Sequence, residues 1–487
     1  MQDDWKVSEK LTVNAGLRYD IMTPARDADD RLANFDPSTN SLKMASGDDR
    51  SLQRQPYNNF APRLGAAYRL NANTVIRGGY ALGWNFWNRM ASAEYLNTNA
   101  PYVTRFSTVN SAANLGNICT GNSYSGCFRP REAGYPGDLP SNVILYMDPD
   151  TPWGYVQNWH FTIRRTLFKD TLLDVAYVGN RGSRLPVLGD LNQARPITQQ
   201  KLSAGLTTLV TLLARRPYQG WNNITAVVPD GFSRYHGLQM KFEHRGRDLS
   251  VISSFTYSKA IDTVGQVLET TNGGSPNPQD IHNIRNDKGA SSFDQRFNST
   301  TSLVYNLPFG KGRRFATSMP AVVEGIVGGW QVSGIVTLLS GQPLNIRYPD
   351  SSGILSDGQA DFLGNVALRP NYLGGKIKND DSTMERHLAY FNRSALAIPP
   401  VTSPFGNLGR NVVYGFPLYQ TNMVFAKNFI LPFINEGARL QFRGEFYNLF
   451  NKTNFTAPTV DLSSANFGRV SSTLDPRFVQ LALKLLF

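Results

Sequence analysis

From Leu11 to Ile21 the chain alternates without a break. Leu11, Val13, Ala15, Leu17, Tyr19 and Ile21 fall on one face, and Thr12, Asn14, Gly16, Arg18 and Asp20 fall on the other. A period of two puts one face of a strand in an apolar medium and the other in a polar one. The pattern returns along the chain. Asn158, His160, Thr162 and Arg164 oppose Trp159, Phe161 and Ile163, and Gln239, Lys241, Glu243 and Arg245 oppose Leu238, Met240, Phe242 and His244. Arg439, Gln441, Arg443 and Glu445 oppose Leu440, Phe442 and Phe446. At the end Val479, Leu481, Leu483, Leu485 and Phe487 oppose Gln480, Ala482 and Lys484. The spacing predicts about thirteen strands. They fall near 1–7, 11–21, 58–71, 73–85, 154–168, 171–185, 234–246, 249–262, 293–308, 329–346, 416–429, 438–450 and 477–487.

A soluble sandwich alternates too, so the connections decide more than the strands. They mostly alternate between very short and very long. Ser8-Glu9-Lys10, Asn71-Ala72-Asn73, Lys169-Asp170 and Arg247-Asp248 are short, whereas 22–57, 86–153, 186–233, 263–292, 347–415 and 451–476 are long. Loops beyond about 15 residues are unusual in compact domains. Gathering them at one end of an up-and-down sheet is the plan of an outer-membrane barrel, with short periplasmic turns and long external loops. The stretch 309–328 is the one expected periplasmic connection that is long. The long loops are rich in Gly, Asn, Ser and Pro, as exposed loops are. One holds Leu202, Leu206, Leu209, Val210 and Leu213 at helical spacing, read as a short helix folded on its own loop. Aromatic clusters at Trp84, Phe86 and Trp87, and at Phe446, Tyr447 and Phe450, have the composition of interfacial girdles; ordinary aromatic-rich β structure is the alternative reading.

Composition agrees with this plan. Across 487 residues the hydrophobic fraction is 41%, and no apolar run approaches the roughly 18 residues of a membrane helix. A strand that crosses a bilayer needs only about 10 residues, half of them polar. The net charge of +12 raises nucleic acid as a partner, but Lys and Arg are dispersed. Their tightest group, Lys311, Arg313 and Arg314, sits in a Gly-rich turn, and no recognition helix, zinc spacing or aromatic RNA-binding signature accompanies it. Nucleic acid is therefore not an expected partner. The two cysteines, Cys119 and Cys127 in ICTGNSYSGCF, read as a disulfide closing a small loop in an oxidising compartment; two unrelated thiols are the alternative.

Nothing legible in the sequence carries catalysis. His160, His236, His244, His282 and His387 are scattered without metal-ligand spacing. GKGRR at 310–314 lacks the flanking residues of a phosphate loop, and DGQAD at 357–361 lacks the spacing of a calcium loop. The expectation is a non-enzyme, with no catalytic residue, cofactor site or metal site assigned.

Several stretches together resemble the barrel of TonB-dependent outer-membrane transporters, in the Oar-like branch that carries a carboxypeptidase-regulatory-like domain. They are QDDWKVSEKLTVNAGLRYD at 2–20, NNFAPRLGAAYRL at 58–70, FDQRFNSTTSLVYNLPFGKGRRF at 293–315 and GWQVSGIVTLLSGQPLNI at 329–346. FGNLGRN at 405–411, RLQFRGEFYNLFNKTNF at 439–455 and the terminal DPRFVQLALKLLF complete the set. The resemblance implies an all-β chain: an antiparallel up-and-down transmembrane barrel portion, about thirteen strands of a barrel of about 22. Against the family plan, 1–487 corresponds to the C-terminal part of the barrel. Signal peptide, regulatory-like domain, plug and TonB box are missing, and Met1 reads as an internal methionine of a longer protein. Implied partners are outer-membrane lipid, the barrel-assembly machinery, the TonB complex through the missing plug, and an unknown ligand; the implied location is the cell outer membrane. The terminal Leu483, Leu485 and Phe487 resemble the signal that the barrel-assembly machinery reads. Two functions follow: substrate uptake across the outer membrane energised by TonB, or surface binding and adhesion with the barrel as anchor.

Overall fold

Alternation broken by short turns commits a chain to consecutive hairpins, and this is the architecture seen. The computed structural model describes residues 2–85, 96–102, 144–205, 214–221, 223–263, 278–349, 368–380, 383–431 and 438–487. Thirteen strands form one antiparallel meander, each bonded to its neighbours in sequence. They are β1 (Gln2–Lys6), β2 (Leu11–Tyr19), β3 (Phe60–Asn71), β4 (Thr74–Asn85), β5 (Gly154–Phe168) and β6 (Thr171–Asp190). After them come β7 (Ile224–Arg245), β8 (Leu249–Asp262), β9 (Phe297–Asn306), β10 (Trp330–Leu339), β11 (Leu418–Ile430), β12 (Arg439–Tyr447) and β13 (Phe478–Leu486). A meander sends alternate connections to opposite ends. The turns after odd-numbered strands lie at one end and the long loops after even-numbered strands at the other. At the β5–β6 turn Asp170 takes φ 63°, the left-handed conformation that a tight hairpin turn requires.

Register carries one face continuously around the sheet. Leu11 lies opposite Tyr68, Tyr68 opposite Ile76, and Ile76 opposite Ile163. Ile163 lies opposite Val175, which is opposite Met240, and Met240 is opposite Phe255. Farther along, Phe425 faces Gly444, and Gly444 faces Leu481. These side chains share the apolar face, and many are open: Leu64 is 58% exposed, Leu483 68% and Phe487 87%. The opposite face carries charges, several of them in pairs. Arg164 donates twice to Asp174 (2.7 and 2.8 Å), and Lys241 and Arg245 both bind Glu243. Polar groups on the apolar face satisfy one another, as Ser253 and Thr301 do with hydroxyls 2.8 Å apart.

Two expectations need correction. The strand expected over 329–346 stops at Leu339, and Pro343–Leu344 forms a separate ribbon with Val413–Tyr414. The loop expected over 186–233 shrinks to 191–223, because β6 and β7 run 20 and 22 residues. Their upper ends read as LPVLGD and ITAVVPD, not as an alternating pattern, because both faces there are covered. Val187, Leu188, Ile224, Ala226 and Val227 are all buried, and Ile144–Met147 adds a parallel strand along Ile224–Val227. Burial on both faces replaces alternation with a continuous apolar run. Of the segment read as a helix near Leu202, Gln199–Ser203 is helical, capped by the Thr198 side chain; Leu206, Leu209, Val210 and Leu213 lie outside the described residues. Phe86 and Trp87 do also.

The long periplasmic connection holds a short helix, Ala321–Val327. It packs against the outer face of β11 at the turn end, where the buried Lys427 ammonium donates to Gly328 O and lies over the rings of Trp330 and Phe429.

The buried apolar core is in the loop layer, not in the sheet. One cluster joins the β10–β11 and β12–β13 loops through Leu344, Ile346, Tyr390, Phe391, Leu462 and Phe467. Another joins Leu32, Leu52, Leu96 and Met147 to Leu188 and Val227 at the tops of β6 and β7. Two buried asparagines complete the bonding of the Ile144–Met147 strand. Asn34 binds both N–H and C=O of Met147, and Asn99 binds both groups of Leu145. Ile224→Ala removes a fully buried side chain and should cost about 2–5 kcal/mol. We expect faster amide hydrogen exchange at 144–147 and 187–190, with β6 amides at 171–181 unchanged.

Candidate functional site

Three buried Arg–Asp pairs hold the external loops together. At the top of β6, Asp190 accepts from Arg216 Nη1 (3.0 Å) and from the backbone N–H groups of Asn192 and Ile224 (2.9 Å each). Arg216 also donates to Asn192 O and to Asn223 Oδ1. Burial pushes the Asp190 carboxyl up to about 6, and Arg216 with the two N–H groups pulls it the other way.

The second pair, Arg369 with Asp287, joins the β10–β11 loop to the β8–β9 loop, and both members are buried. Arg369 donates besides to Leu408 O and Asn286 O (2.9 Å each). Burial raises the Asp287 carboxyl, opposed first by the Arg369 charge. Gln279 locks this centre. Its N–H reaches Asp287, its side-chain oxygen accepts from Arg369 N, and its C=O accepts from Gln193 of the neighbouring loop. The third pair, Arg410 with Asp262, ties the same β10–β11 loop to the top of β8; Arg410 Nε also donates to Asp287 O (2.8 Å). Arg369, Arg410 and Gln279 thus converge on Asp287, with Gln193 held through Gln279.

Two hollows lie elsewhere, lined by none of the residues of this network. One is a small cleft of about 60 Å³ between 22–25, 53–55 and 147–153. Trp153, Met22 and Met147 supply apolar walls, and Arg54 forms a two-bonded pair with Asp150 (2.7 Å each). Gln53 and Gln55 also line it, and their buried Nε2 and Oε1 atoms have no hydrogen-bond partner among the described residues. An unpaired buried amide atom costs about 1–3 kcal/mol, which a hydrogen-bonding ligand or water recovers. The other hollow, about 1150 Å³, is a trough on the charged face of β2–β5. Its register row runs Asn14, Gly65, Gly79, His160. The glycines leave room there: a Cβ on Gly79 would come within 2.6 Å of the His160 ring. Arg63 and Arg77 make the trough basic.

The residues singled out in the sequence do not meet in one place. Cys119 and Cys127 lie outside the described residues, as does DGQAD at 357–361. Leu483, Leu485 and Phe487 stand on the exposed face of β13 or just beyond it. In the GKGRR turn Lys311 N donates to Glu324 and Arg313 binds Asp248. His160 lines the trough, His236 bonds the Tyr177 hydroxyl (2.7 Å), His244 bonds Thr171 and His387 stacks on Phe455. Among the described residues no three His, Cys, Asp or Glu side chains converge as a metal site would. The buried pairs were missed because each partner lies tens of residues from the other, and an Arg in a polar loop reads as solvated.

Removing Arg369 leaves Asp287 buried without its charge partner. Arg369→Met should therefore destabilise the loop layer by about 3–5 kcal/mol, whereas Arg369→Met combined with Asp287→Leu should cost far less. Limited proteolysis of the external loops in both variants measures the difference.

A domain model described as "Outer membrane beta barrel domain" matches residues 1–480. A search of curated proteins finds no match. Among solved structures the chain is similar to the FrpB iron transporter of Neisseria meningitidis: 11% identity, 99% of this chain, 44% of that one, TM-score 0.40. The outer membrane transporter YddB of Escherichia coli aligns at 9% identity over 97% of this chain and 45% of its own, TM-score 0.41. The ferric-catecholate import receptor Fiu of the same organism aligns at 12% identity over 100% and 44%, TM-score 0.40. The chain spans less than half the length of each. The domain match over nearly the full length, on a sheet that is apolar on one face and charged on the other, makes this chain a member of the outer membrane β-barrel domain family.

Proposed function

We propose that the chain supplies part of the wall and the ligand-capturing outer face of a TonB-dependent transporter, energised through a plug carried elsewhere in the complete protein. The single observation behind this reading is the register: apolar side chains share one face from β2 to β13, with a charged face opposite and an ordered loop layer at one end only. Membership of the outer-membrane barrel family and the sequence resemblance support it. The apolar face then meets lipid, and the trough between Arg63, Arg77 and His160 faces the lumen. Leu483, Leu485 and Phe487 present the C-terminal signal to the barrel-assembly machinery. The cleft with its two unpartnered amides suits a ligand rich in hydrogen-bonding groups. The rigid loop layer would equally serve a surface-binding protein anchored by the sheet. Depletion of compounds from the medium separates the two: transport stops when TonB is deleted, whereas surface binding persists.

Among the described residues no strand pairs with the outer edge of β1 or of β13. A larger wall fills these edges with further strands; a small one closes them on each other. Asp4→Cys with Lys484→Cys should give no crosslink in the larger barrel, and an efficient disulfide would overturn it.

On β13, Leu483 points outward and Lys484 inward. Leu483→Arg should cost about 2–4 kcal/mol if it sits near the bilayer midplane, and Lys484→Ala should be mild. The amount of urea-resistant protein in the outer-membrane fraction reports both; equal losses would overturn the assignment of faces.

A further inference from the structure

The outward face of β6, β7 and β8 changes character abruptly partway up. From the turn end, β6 presents Leu173, Val175 and Tyr177, and β7 presents Phe242, Met240 and Leu238 in register with them. Tyr257 of β8 lies beside Leu238. One step toward the loops, Gly179, His236 and Lys259 lie side by side, and one step farther Arg181 lies directly opposite Arg234. Arg181, Arg234 and Lys259 are exposed. Among the described residues none of the three has an ion-pair or hydrogen-bond partner for its side chain. On the opposite face of this part of the sheet several cations are matched, Arg164 of β5 by Asp174 and Lys241 with Arg245 by Glu243. Like charges directly across a strand pair are destabilising. An anion between them would reverse that.

The surface beside these cations is shaped as well as charged. Gly179 has no side chain, and the Trp159 indole lies across it, so that a Cβ there would come within 2.5 Å of the ring. His236 is 6.0 Å from Trp159 between ring centres and stacks with Tyr177, whose hydroxyl bonds its Nδ1. Aromatic groups with one polar end settle at the boundary between hydrocarbon and headgroups.

We propose that Arg181, Arg234 and Lys259, beside the shelf of Trp159, Tyr177 and His236, bind the phosphate of an anionic lipid headgroup. The acyl chains of that lipid lie along the apolar rows below. This inference rests on the reading that the apolar face meets the bilayer. Two guanidiniums from adjacent strands offer planar donor pairs to phosphate oxygens, and the lysine adds a compact charge. The apolar rows immediately below select a phosphate that carries chains over one that is free in solution.

The test uses the protein extracted in mild detergent from outer membranes. Wild type should retain phosphorus-bearing lipid in native mass spectra. The triple variant Arg181→Gln, Arg234→Gln, Lys259→Gln should lose it about tenfold or more, the factor that about 1.4 kcal/mol of binding gives. Lys241→Gln, a charge removed from the opposite face, should retain the lipid as wild type does. The triple variant should remain as resistant to urea as wild type, because it relieves a like-charge pair. Reconstitution into vesicles of brominated phosphatidylcholine keeps the two readings apart. Quenching of Trp159 fluorescence, defined by its loss in Trp159→Phe, shows that this face meets lipid. Quenching together with equal lipid retention in wild type and triple variant overturns the headgroup site alone. Absence of quenching overturns the membrane-facing assignment and the site with it. Full displacement of the bound species by inorganic phosphate would assign the cluster to free phosphate and overturn the lipid.

Discussion

A backbone that crosses hydrocarbon has to bond each of its N–H and C=O groups within protein, since nothing in the medium accepts or donates. Almost everything in this molecule follows from that. It makes consecutive antiparallel hairpins the economical solution, because each strand finds its partners in the next stretch of chain. It fixes the register, since a slip of one residue would turn every charge of a strand toward the hydrocarbon. It also explains why outward hydroxyls occur in bonded couples such as Ser253 with Thr301.

The same molecule obeys a second solvent above the sheet. There apolar side chains turn inward, and the largest fully buried residue among the described ones is Tyr390 in a loop, not a strand residue. The buried Arg–Asp pairs belong to this layer. Each has lost much of its hydration and holds its place only because backbone groups and amides complete its bonding, as Gln279 does around Asp287. Such a centre is specific in geometry: Arg369 reaches Asp287, Asn286 O and Leu408 O from one guanidinium.

How much was legible follows from which solvent a segment meets. Where one face is apolar and the other polar, the period of two was plain, and Leu11–Tyr19 or Phe478–Leu486 were found almost to the residue. Where a strand is covered on both faces, as at Val187 or Ile224, the alternation disappears and the strand was read as loop. Asn34 and Asn99 were invisible for another reason. Their role is to finish the bonding of a strand more than forty residues away, and an asparagine in a Gly- and Ser-rich loop carries no sign of its partner. The loop layer as a whole was expected to be merely exposed and polar, because its core is assembled from single residues of several loops and no one loop shows a pattern.

The core that unites the β10–β11 and β12–β13 loops has a consequence for the order of events during biogenesis. Each strand pairs only with its neighbours in the chain, so sheet growth proceeds by local steps with little loop-closure entropy to overcome. Leu344 and Tyr390 cannot meet Leu462 and Phe467 until both hairpins that carry those loops are in place. This part of the external layer therefore sets only after the strands that carry those two loops have joined the wall. Until then Tyr390, Phe391 and their neighbours are open to solvent, so an unfinished wall shows apolar loop surface that a finished one hides.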